Sequence, residues 1–302
     1  MADAALPPAP AAESEILDDE ALDPNARDEW HVIAHLGAFA ASPHLAAPRL
    51  ETRLLGTKLS AARGADGGIE VRAAGRRLPV RHDFGYLWTT LGTPRRPLFA
   101  IPEAAEPDRR LVHAASIGVG VAAPRAIENF LDLGHFPYVH TGYLGAEPDT
   151  EVAPYEVRID ENEVVASNCR FRQPRAAANA EGALEVTYIY RVPHPYCAVL
   201  YKINPIARER MDVIALFAQP TGPEETRAHM FVALLDATSS TAALTSFQQE
   251  VFAQDKPILE NQLPKRLPLD PRAEVSVRAD ACSVAYRRFL SARGVRYGTL
   301  PA

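Results

Sequence analysis

The chain has 302 residues, 47% of them apolar, which is enough for one large domain or two of ordinary size and excludes a wholly disordered protein. Its net charge of -6 argues against a nucleic-acid partner, because nucleic-acid-binding domains usually carry a basic field. No apolar run reaches the roughly 18–20 residues of a membrane helix, and the N-terminus has no signal-peptide pattern. We therefore expect a cytoplasmic protein with no membrane partner.

The three cysteines, Cys169, Cys197 and Cys282, are far apart in the sequence. None belongs to a CxxC, CxH or CxxH pair, so the chain supplies no thiolate site of its own for zinc or for an iron–sulfur cluster. We interpret them as buried or idle thiols of a reducing cytosol.

Residues 1–28 are rich in alanine, proline and acidic residues and lack periodicity, which predicts a disordered tail. Residues 29–110 contain short β-type runs separated by turns, which predicts a small β module. The runs are WHVIAHL, RLLGTKLSAA, GIEVRAA and GYLWTTLG. Gly67 and Gly68 mark a turn between two of them.

Residues 111–302 have a different pattern. The strand-like run LVHAASIGVGVAA precedes a helix that opens at Pro124, a favoured first-turn position. Six β-type runs follow without helices between them, so we expect an antiparallel sheet. Two helices close the chain, over about 240–263 and about 279–293. We predict an α+β fold in which a long helix lies against the sheet.

The segment NFLDLGHFPYVH brings Asp132, His135 and His140 within nine residues. Two histidines five residues apart do not share a regular helical face, but the break at Pro137 lets His135 leave one helix end and His140 follow the turn. Two histidines and one carboxylate form a facial triad, which selects ferrous iron with open positions. Taken alone, a pair of histidines at this spacing more often consists of ordinary core or surface residues.

The helix LTSFQQEVFAQDKPILENQLP offers the missing carboxylate, because Asp255 lies on its apolar stripe. Burial of a carboxylate is costly unless it is paired or metal-bound, so Asp255 is the candidate third ligand. A buried ion pair with an arginine or lysine is the alternative. Gln262 on the same stripe, and Asn261 beside it, are the candidate amides for binding a polar substrate. The stripe consists of Leu244, Phe247, Val251, Asp255, Ile258 and Gln262.

Asp132 lies one helical turn before His135, where a carboxylate can accept a hydrogen bond from the second ring nitrogen of a ligand histidine. Asn129 lies a further turn back, near the same face. Both are candidate catalytic residues. Each is also open to interpretation as a helix cap or a surface residue.

The segment AIENFLDLGHFPYVHTGYLG resembles the iron-binding segment of Rieske non-haem iron oxygenase large subunits. The family pattern N-x-x-D-x-x-H-x-x-x-x-H falls here on Asn129, Asp132, His135 and His140. FAQDKPILENQLPKRLPL resembles the family segment with the third iron ligand, which falls on Asp255, and ADACSVAYRRFL resembles the closing helix.

The resemblance covers about residues 29–298 and implies a truncated Rieske-like β module followed by a helix-grip (START-like) antiparallel sheet domain. Family members carry CxH and CxxH motifs in the N-terminal module for a two-iron two-sulfur cluster. Here those loops are missing between the flanking strands, and His82 has no cysteine nearby and no cluster role. A closer similarity exists to the Rieske-less 7-methylxanthine N-demethylase subunits of bacterial caffeine degradation.

This resemblance implies a mononuclear Fe(2+) ion held by His135, His140 and Asp255. It also implies a two-iron two-sulfur cluster and NAD(P)H supplied through a Rieske-domain reductase or a separate Rieske protein, toward which Asp132 bridges. The implied reaction is dioxygen-dependent hydroxylation of an N-methyl group on a small heteroaromatic substrate, with release of formaldehyde, in a trimer-based homo- or hetero-oligomer. The alternatives are an O-demethylase or hydroxylase of another aromatic compound, a non-catalytic scaffold subunit, and a ligand-binding protein without iron.

Overall fold

The structure, a computed structural model, describes residues 22–40, 49–64, 67–180 and 182–302. Its N-terminal part contains short strands after a helical turn, α1. These elements are α1 (Pro24–Arg27), β1 (His31–His35), β2 (Arg49–Leu54), β3 (Thr57–Arg63), β4 (Ile69–Ala73), β5 (Arg76–Leu78), β6 (Val80–Asp83) and β7 (Tyr86–Thr89). They form two small antiparallel sheets, with strand orders β1-β7-β6 and β2-β3-β4-β5.

Two predictions for this part are wrong. The run RLLGTKLSAA is a hairpin rather than one strand, because Leu55 and Gly56 both have positive φ, 50° and 82°, and reverse the chain between β2 and β3. The end of the predicted tail is also ordered, since Asp23 caps α1 and Ala26 is buried. The remainder of the tail, residues 1–21, lies outside the described residues.

The larger part of the chain forms a seven-stranded sheet. Its strands are β8 (Arg110–Val119), β9 (Glu156–Ile159), β10 (Val164–Gln173), β11 (Leu184–His194), β12 (Cys197–Ile203), β13 (Met211–Gly222) and β14 (Glu225–Leu234). The strand order is β8-β14-β13-β12-β11-β10-β9, and every pairing is antiparallel, as predicted. A two-residue parallel pair, β15 (Leu267–Pro268) and β16 (Thr299–Leu300), closes the C-terminal region.

Burial along the strands shows what covers each face. Strand β11 alternates between buried and half-buried residues, as expected for a strand with one face in the core. Strands β12, β13 and β14 are buried almost continuously, because helices cover one face and the N-terminal strands cover the other.

The main helices are α2 (Ala123–Leu131), α3 (Phe136–Val139), α4 (Thr241–Asn261) and α5 (Ala281–Ala292). Ser240 caps α4 by accepting a hydrogen bond from the Ala243 N–H at 3.1 Å. This long helix against an antiparallel sheet confirms the predicted α+β fold. Of the described helices, none combines the length and the apolar character needed to cross a lipid bilayer. All three cysteines are buried and free.

An aromatic cluster joins the N-terminal strands to the large sheet. The ring centroids of Trp88 on β7 and Phe217 on β13 lie 5.0 Å apart, and Tyr86 and Phe231 complete the contact. Beside the cluster, the buried Gln219 amide on β13 donates to Thr52 Oγ1 at 2.9 Å. The small sheets and the large one therefore share a core.

Candidate metal centre

The two histidines of the HxxxxH pattern flank helix α3. Helix α2 ends at Leu131, and Asp132 has an extended backbone, so the chain leaves the helix before His135. His135 then precedes α3, whose first turn contains Pro137, and His140 follows its last residue. The proline break thus sets the two imidazoles at opposite ends of one short helical turn.

Three ligand-type atoms converge between α3 and α4. Nε2 of His135 lies 3.1 Å from Nε2 of His140. Oδ1 of Asp255, from the middle of α4, lies 3.1 Å from Nε2 of His140 and 3.4 Å from Nε2 of His135. Among the described residues this is the one group of three or more His, Cys, Asp or Glu side chains arranged to hold an ion.

The other ring nitrogens are held by hydrogen-bond acceptors. Nδ1 of His135 donates to Asp132 Oδ2 at 3.0 Å, and Nδ1 of His140 donates to Gln254 Oε1 at 2.8 Å. Asp132 is itself fixed by the Gly134 N–H, which donates to Oδ1 at 2.7 Å. Because each Nδ1 donates to an acceptor, Nε2 is the nitrogen that each ring turns toward the shared centre, as in a metal-ligating histidine.

The centre has the properties of a cation site. Oδ1 of Asp255 is buried and has no hydrogen-bond partner among the described residues, although two ring nitrogens lie close by. Ligand atoms lie about 2.1 Å from a divalent first-row metal ion, so ligands on one face of its coordination shell are about 3 Å apart, as observed here. Two imidazoles and one carboxylate are the donor set of a ferrous facial triad. These residues fit such an ion.

The electrostatics of the centre also favour a cation. Burial alone lowers the pKa of His135, but Asp132 and Asp255 outweigh burial and raise the pKa to about 9. Burial alone raises the pKa of Asp255, but His135 and His140 hold that pKa at about 2. The pKa of Asp132 is lowered too, since its contact with His135 outweighs burial. Two carboxylates therefore stay ionised around the imidazoles at neutral pH.

A cavity lies beside the centre, between helix α4 and one face of the large sheet. His135, His140 and Asp255 form one part of its wall. The other polar side chains in the wall are Asn129, Gln248 and Lys202, together with the phenols of two tyrosines. The rest is mainly aromatic and aliphatic, including Phe130, Phe136, Leu144, Tyr188, Tyr190, Leu200, Ile214, Leu216, Met230, Phe247, Val251 and Phe252. A largely apolar cavity with a few polar groups is typical of a site for a small ligand.

The structure brings some predicted site residues together and leaves others apart. Asn129 lines this cavity and also a second, more polar one, whereas Asp132 and Gln262 line only the second. Asn261 is exposed and its side chain donates to the Pro257 carbonyl at 2.7 Å. Gln262 and Asn261 therefore do not line the cavity beside the centre.

The reason lies in the last turn of α4. Leu259 is buried there, while Ile258, which the predicted stripe includes, is 51% exposed. The buried face of α4 is therefore shifted by one residue from the predicted apolar stripe at this end of the helix. The helix also ends at Asn261, before Gln262. The role of these two amides in substrate binding stays a prediction, without support from their positions.

Two residues escaped the sequence analysis. Gln248 lies seven residues before Asp255, two turns away on the same face, and is as well spaced as Gln262 seven residues after it. Gln254 orients His140 but adjoins Asp255 in the sequence, and no spacing distinguishes it from its neighbours. A ligand histidine needs a hydrogen-bond acceptor at its second ring nitrogen, and this requirement was the one signal that could have pointed to Gln254.

Comparison with known proteins assigns the chain to a family. The family model for the vanillate O-demethylase oxygenase C-terminal domain matches residues 119–295. A probable methylxanthine N7-demethylase, NdmC, of Pseudomonas sp. (strain TJI-51) is 46% identical over 276 residues, which are 90% of this chain and 96% of that protein. The chain belongs to the Rieske-type oxygenase family.

Other members of the Rieske-type oxygenase family match more distantly. Methylxanthine N1-demethylase NdmA of Pseudomonas putida is 28% identical over 222 residues, which are 71% of this chain and 60% of that protein. The solved structure of Pseudomonas putida CBB5 NdmA with caffeine superimposes with a TM-score of 0.71 at 21% identity, covering 88% of this chain and 90% of that chain. Dicamba monooxygenase bound to 3,6-dichlorosalicylic acid gives a TM-score of 0.70 at 15% identity, covering 90% and 99%.

These comparisons confirm the resemblance stated from the sequence. The structural likenesses show the fold, and the sequence matches show the family. Rieske-type oxygenases are non-haem iron monooxygenases, and the family implies a mononuclear iron centre, reductase partners and an oligomeric assembly.

Proposed function

We propose that this chain is the catalytic iron subunit of an N-demethylase that oxidises the N7-methyl group of a methylxanthine. The methyl group becomes hydroxymethyl, and the product then releases formaldehyde to leave a ring N–H. The observation that carries the proposal is the convergence of His135 Nε2, His140 Nε2 and Asp255 Oδ1 at the wall of a largely apolar cavity. Its 46% identity to a probable methylxanthine N7-demethylase supports the substrate class.

In this proposal His135, His140 and Asp255 hold Fe(2+). When bound, the ferrous ion supplies the activation of dioxygen that oxidation of an unreactive methyl C–H bond requires. The protein holds the three ligands in place: Asp132 and Gln254 fix the two rings through their Nδ1 protons. Asn129, in the cavity wall near them, is the second candidate catalytic residue.

The cavity suits a flat heteroaromatic ring. Phe136, Tyr188 and Phe247 provide aromatic walls that exclude water. Gln248 presents an amide, with both donor and acceptor groups, to a ring that carries carbonyl oxygens and ring nitrogens. We propose Gln248 as the amide that orients the ring so that its methyl group faces the ligands.

The electrons come from another protein in this proposal. The chain has three cysteines, all buried and unpaired, so it offers no ligands for a two-iron two-sulfur cluster. We propose that a Rieske-domain reductase, or a separate Rieske protein fed by NAD(P)H, docks on the Asp132 side of the centre in a trimer-based assembly. Residues 29–110 are then a Rieske-like module without a cluster, and 111–302 the catalytic domain.

Anaerobic iron quantitation followed by turnover tests this proposal. The protein is loaded with Fe(2+), mixed with a Rieske reductase and NADH, and given methylxanthines methylated at N1, N3 or N7. We expect one iron per chain and formaldehyde from the N7-methylated compounds. Bound iron without demethylation of any methylxanthine would contradict the proposed substrate. Absence of bound iron would contradict the proposal that the chain is an iron enzyme.

A second candidate function keeps the iron and changes the substrate. The family model that matches residues 119–295 is that of a vanillate O-demethylase oxygenase. Methoxybenzoates in the same assay distinguish the two, because an O-demethylase would release formaldehyde from them and not from methylxanthines.

A further inference from the structure

Lys202 places a buried ammonium group in the wall of the cavity. It lies on β12, directly opposite Tyr188 on β11 and Asp212 on β13, and is only 6% exposed. Lys202 and Gln248 line both this cavity and a smaller neighbouring one, so they separate the two. A lysine in such a position is unusual, because lysine is rarely buried without a paired charge.

The ammonium group has unused hydrogen-bond donors. It carries three N–H groups, and its hydrogen-bond partner among the described residues is the Ala176 carbonyl. Asp212 attracts it from the next strand, but no ion pair joins the two side chains within the described structure. The Asp212 oxygens instead accept hydrogen bonds from the Leu235 N–H at 2.8 Å and from Asn204 Nδ2 at 2.9 Å.

Aromatic side chains of the cavity wall lie between Lys202 and the candidate metal centre. Its Nζ is 5.9 Å from the ring centroid of Tyr188. Tyr188 lies 6.3 Å from Phe136, and Phe136 lies 6.0 Å from His140, measured between ring centroids. Lys202 and the two ligand histidines line the same cavity, so a flat ligand with a methyl group at the histidines can present its opposite edge to Lys202.

The chemistry of the group indicates what it binds. Burial lowers the pKa of Lys202 to about 8, although Asp212 opposes the shift, so the amine is mostly protonated at pH 7. A buried cation with free N–H groups is costly until an acceptor reaches it. Ring oxo groups of lactams, or the anionic oxygens of their deprotonated forms, are acceptors that fit a flat, apolar cavity.

We propose, resting on the proposed function, that Lys202 is a specificity-determining residue that donates a hydrogen bond to a ring oxo group of the substrate. The cavity then selects heteroaromatic rings with a lactam oxygen at the edge remote from the N-methyl group. The same ring without oxo groups fills the cavity equally well but leaves the ammonium without its acceptor.

A ligand pair combined with a variant tests this inference. 7-Methylxanthine and 7-methylpurine differ in the oxo groups, and their dissociation constants are measured by calorimetry on the iron-loaded protein without reductant. A hydrogen bond from a charged donor predicts binding of the oxo compound about 10- to 100-fold tighter in the wild type. Lys202→Met should remove that advantage and leave the affinity for 7-methylpurine unchanged within about twofold.

A purely structural role predicts a different result. If Lys202 merely holds the Ala176 carbonyl, Lys202→Met weakens both ligands by the same factor, and the inference is overturned. Lys256→Met is the matched control, because Lys256 lies on α4, pairs with Glu260 and does not line the cavity. Lys202→Gln, which replaces the charged donor by a neutral one, provides a second variant if Lys202→Met does not fold, and it should reduce the preference for the oxo compound rather than abolish it. Equal wild-type affinity for the two ligands is decisive against the inference by itself.

Failure of the proposed function and failure of this inference give different results. If no methylxanthine is demethylated but lactams such as 2-pyridone bind more tightly than pyridine, and Lys202→Met abolishes or Lys202→Gln reduces the difference, the proposed function fails and this inference stands. If 7-methylxanthine is demethylated and the variants keep the preference for oxo compounds, this inference fails alone.

Discussion

The Asp132 carboxylate lies 3.0 Å from Nδ1 of His135, on the opposite side of the ring from the nitrogen that faces Asp255. One imidazole thus connects two carboxylates that have different surroundings. Asp255 faces the apolar cavity, whereas Asp132 faces a polar cavity on the other side. The ring therefore links the three converging ligand atoms to a second, more polar cavity.

Asp132→Asn should keep the iron but slow turnover with the Rieske partner. The amide keeps the shape of the side chain and loses the charge that holds the ring and, in the proposed function, faces the partner. Changes to the acceptor of a ligand histidine typically cost about 10- to 100-fold in metal affinity or activity. Iron content and steady-state rate are measured on the same preparation, and an unchanged coupled rate would end the bridging role.

Asp255→Ala should abolish iron binding and leave a folded protein. The carboxylate is the one anionic donor among the three converging groups, and its loss leaves only the two imidazoles to hold the ion. Iron is quantified after anaerobic loading, with circular dichroism as the check on folding. Glu250→Ala removes an exposed carboxylate from the same helix and should bind iron normally. Full iron occupancy in Asp255→Ala would remove this residue from the triad.

Gln248→Leu should raise KM for the substrate more than it lowers kcat. The leucine has a similar volume and cannot form the hydrogen bonds that orient the ring, and one lost hydrogen bond to a neutral partner costs about 0.5–1.5 kcal/mol. The adjacent Gln249→Leu is the control, since Gln249 is exposed and does not line the cavity. Equal kinetics for the two variants would contradict the proposed contact.

The protein should lose stability in mild acid because of buried histidines. Burial lowers the pKa of His31 to about 4 and that of His229 to about 3. Below pH 6.5 the unfolded chain binds protons that the folded protein does not accept. Stability is thus fully present above pH 6.5 and falls as the pH is lowered toward 4, by about 1.4 kcal/mol per pH unit for each histidine.

Chemical unfolding between pH 7 and pH 4.5 measures this loss, with His229→Gln as the informative variant. Glutamine does not titrate, and it can still bond to the neighbours of His229, which are Ser116 and Gln219. The variant should show a shallower dependence of stability on pH. The exposed His82→Gln should keep the wild-type slope, and identical slopes for both variants would show that His229 is not a source of the acid sensitivity.

The sequence predicts most of this fold because its strands and long helix have strong local signals. The six β-type runs after residue 150 each correspond to a strand, and α4 ends within two residues of its predicted bounds. The turn at Leu55 was missed because a leucine with positive φ has no sequence signal. The convergence of His135, His140 and Asp255 could be predicted because two of the three are close in sequence. Spacing alone does not distinguish Gln248 from Gln262, and Lys202 reaches the cavity through strand pairing, which a single sequence does not reveal.

The contact between Trp88 and Phe217 has a consequence for the N-terminal strands. A shortened chain that began at Arg110 would leave the outer face of β13 and β14 in water, and large exposed apolar faces promote self-association. The N-terminal strands thereby cover a hydrophobic face of the large sheet. Damage to residues 29–110 should consequently appear as lower protein abundance in the cell, while the molecules that do fold keep their catalytic rate.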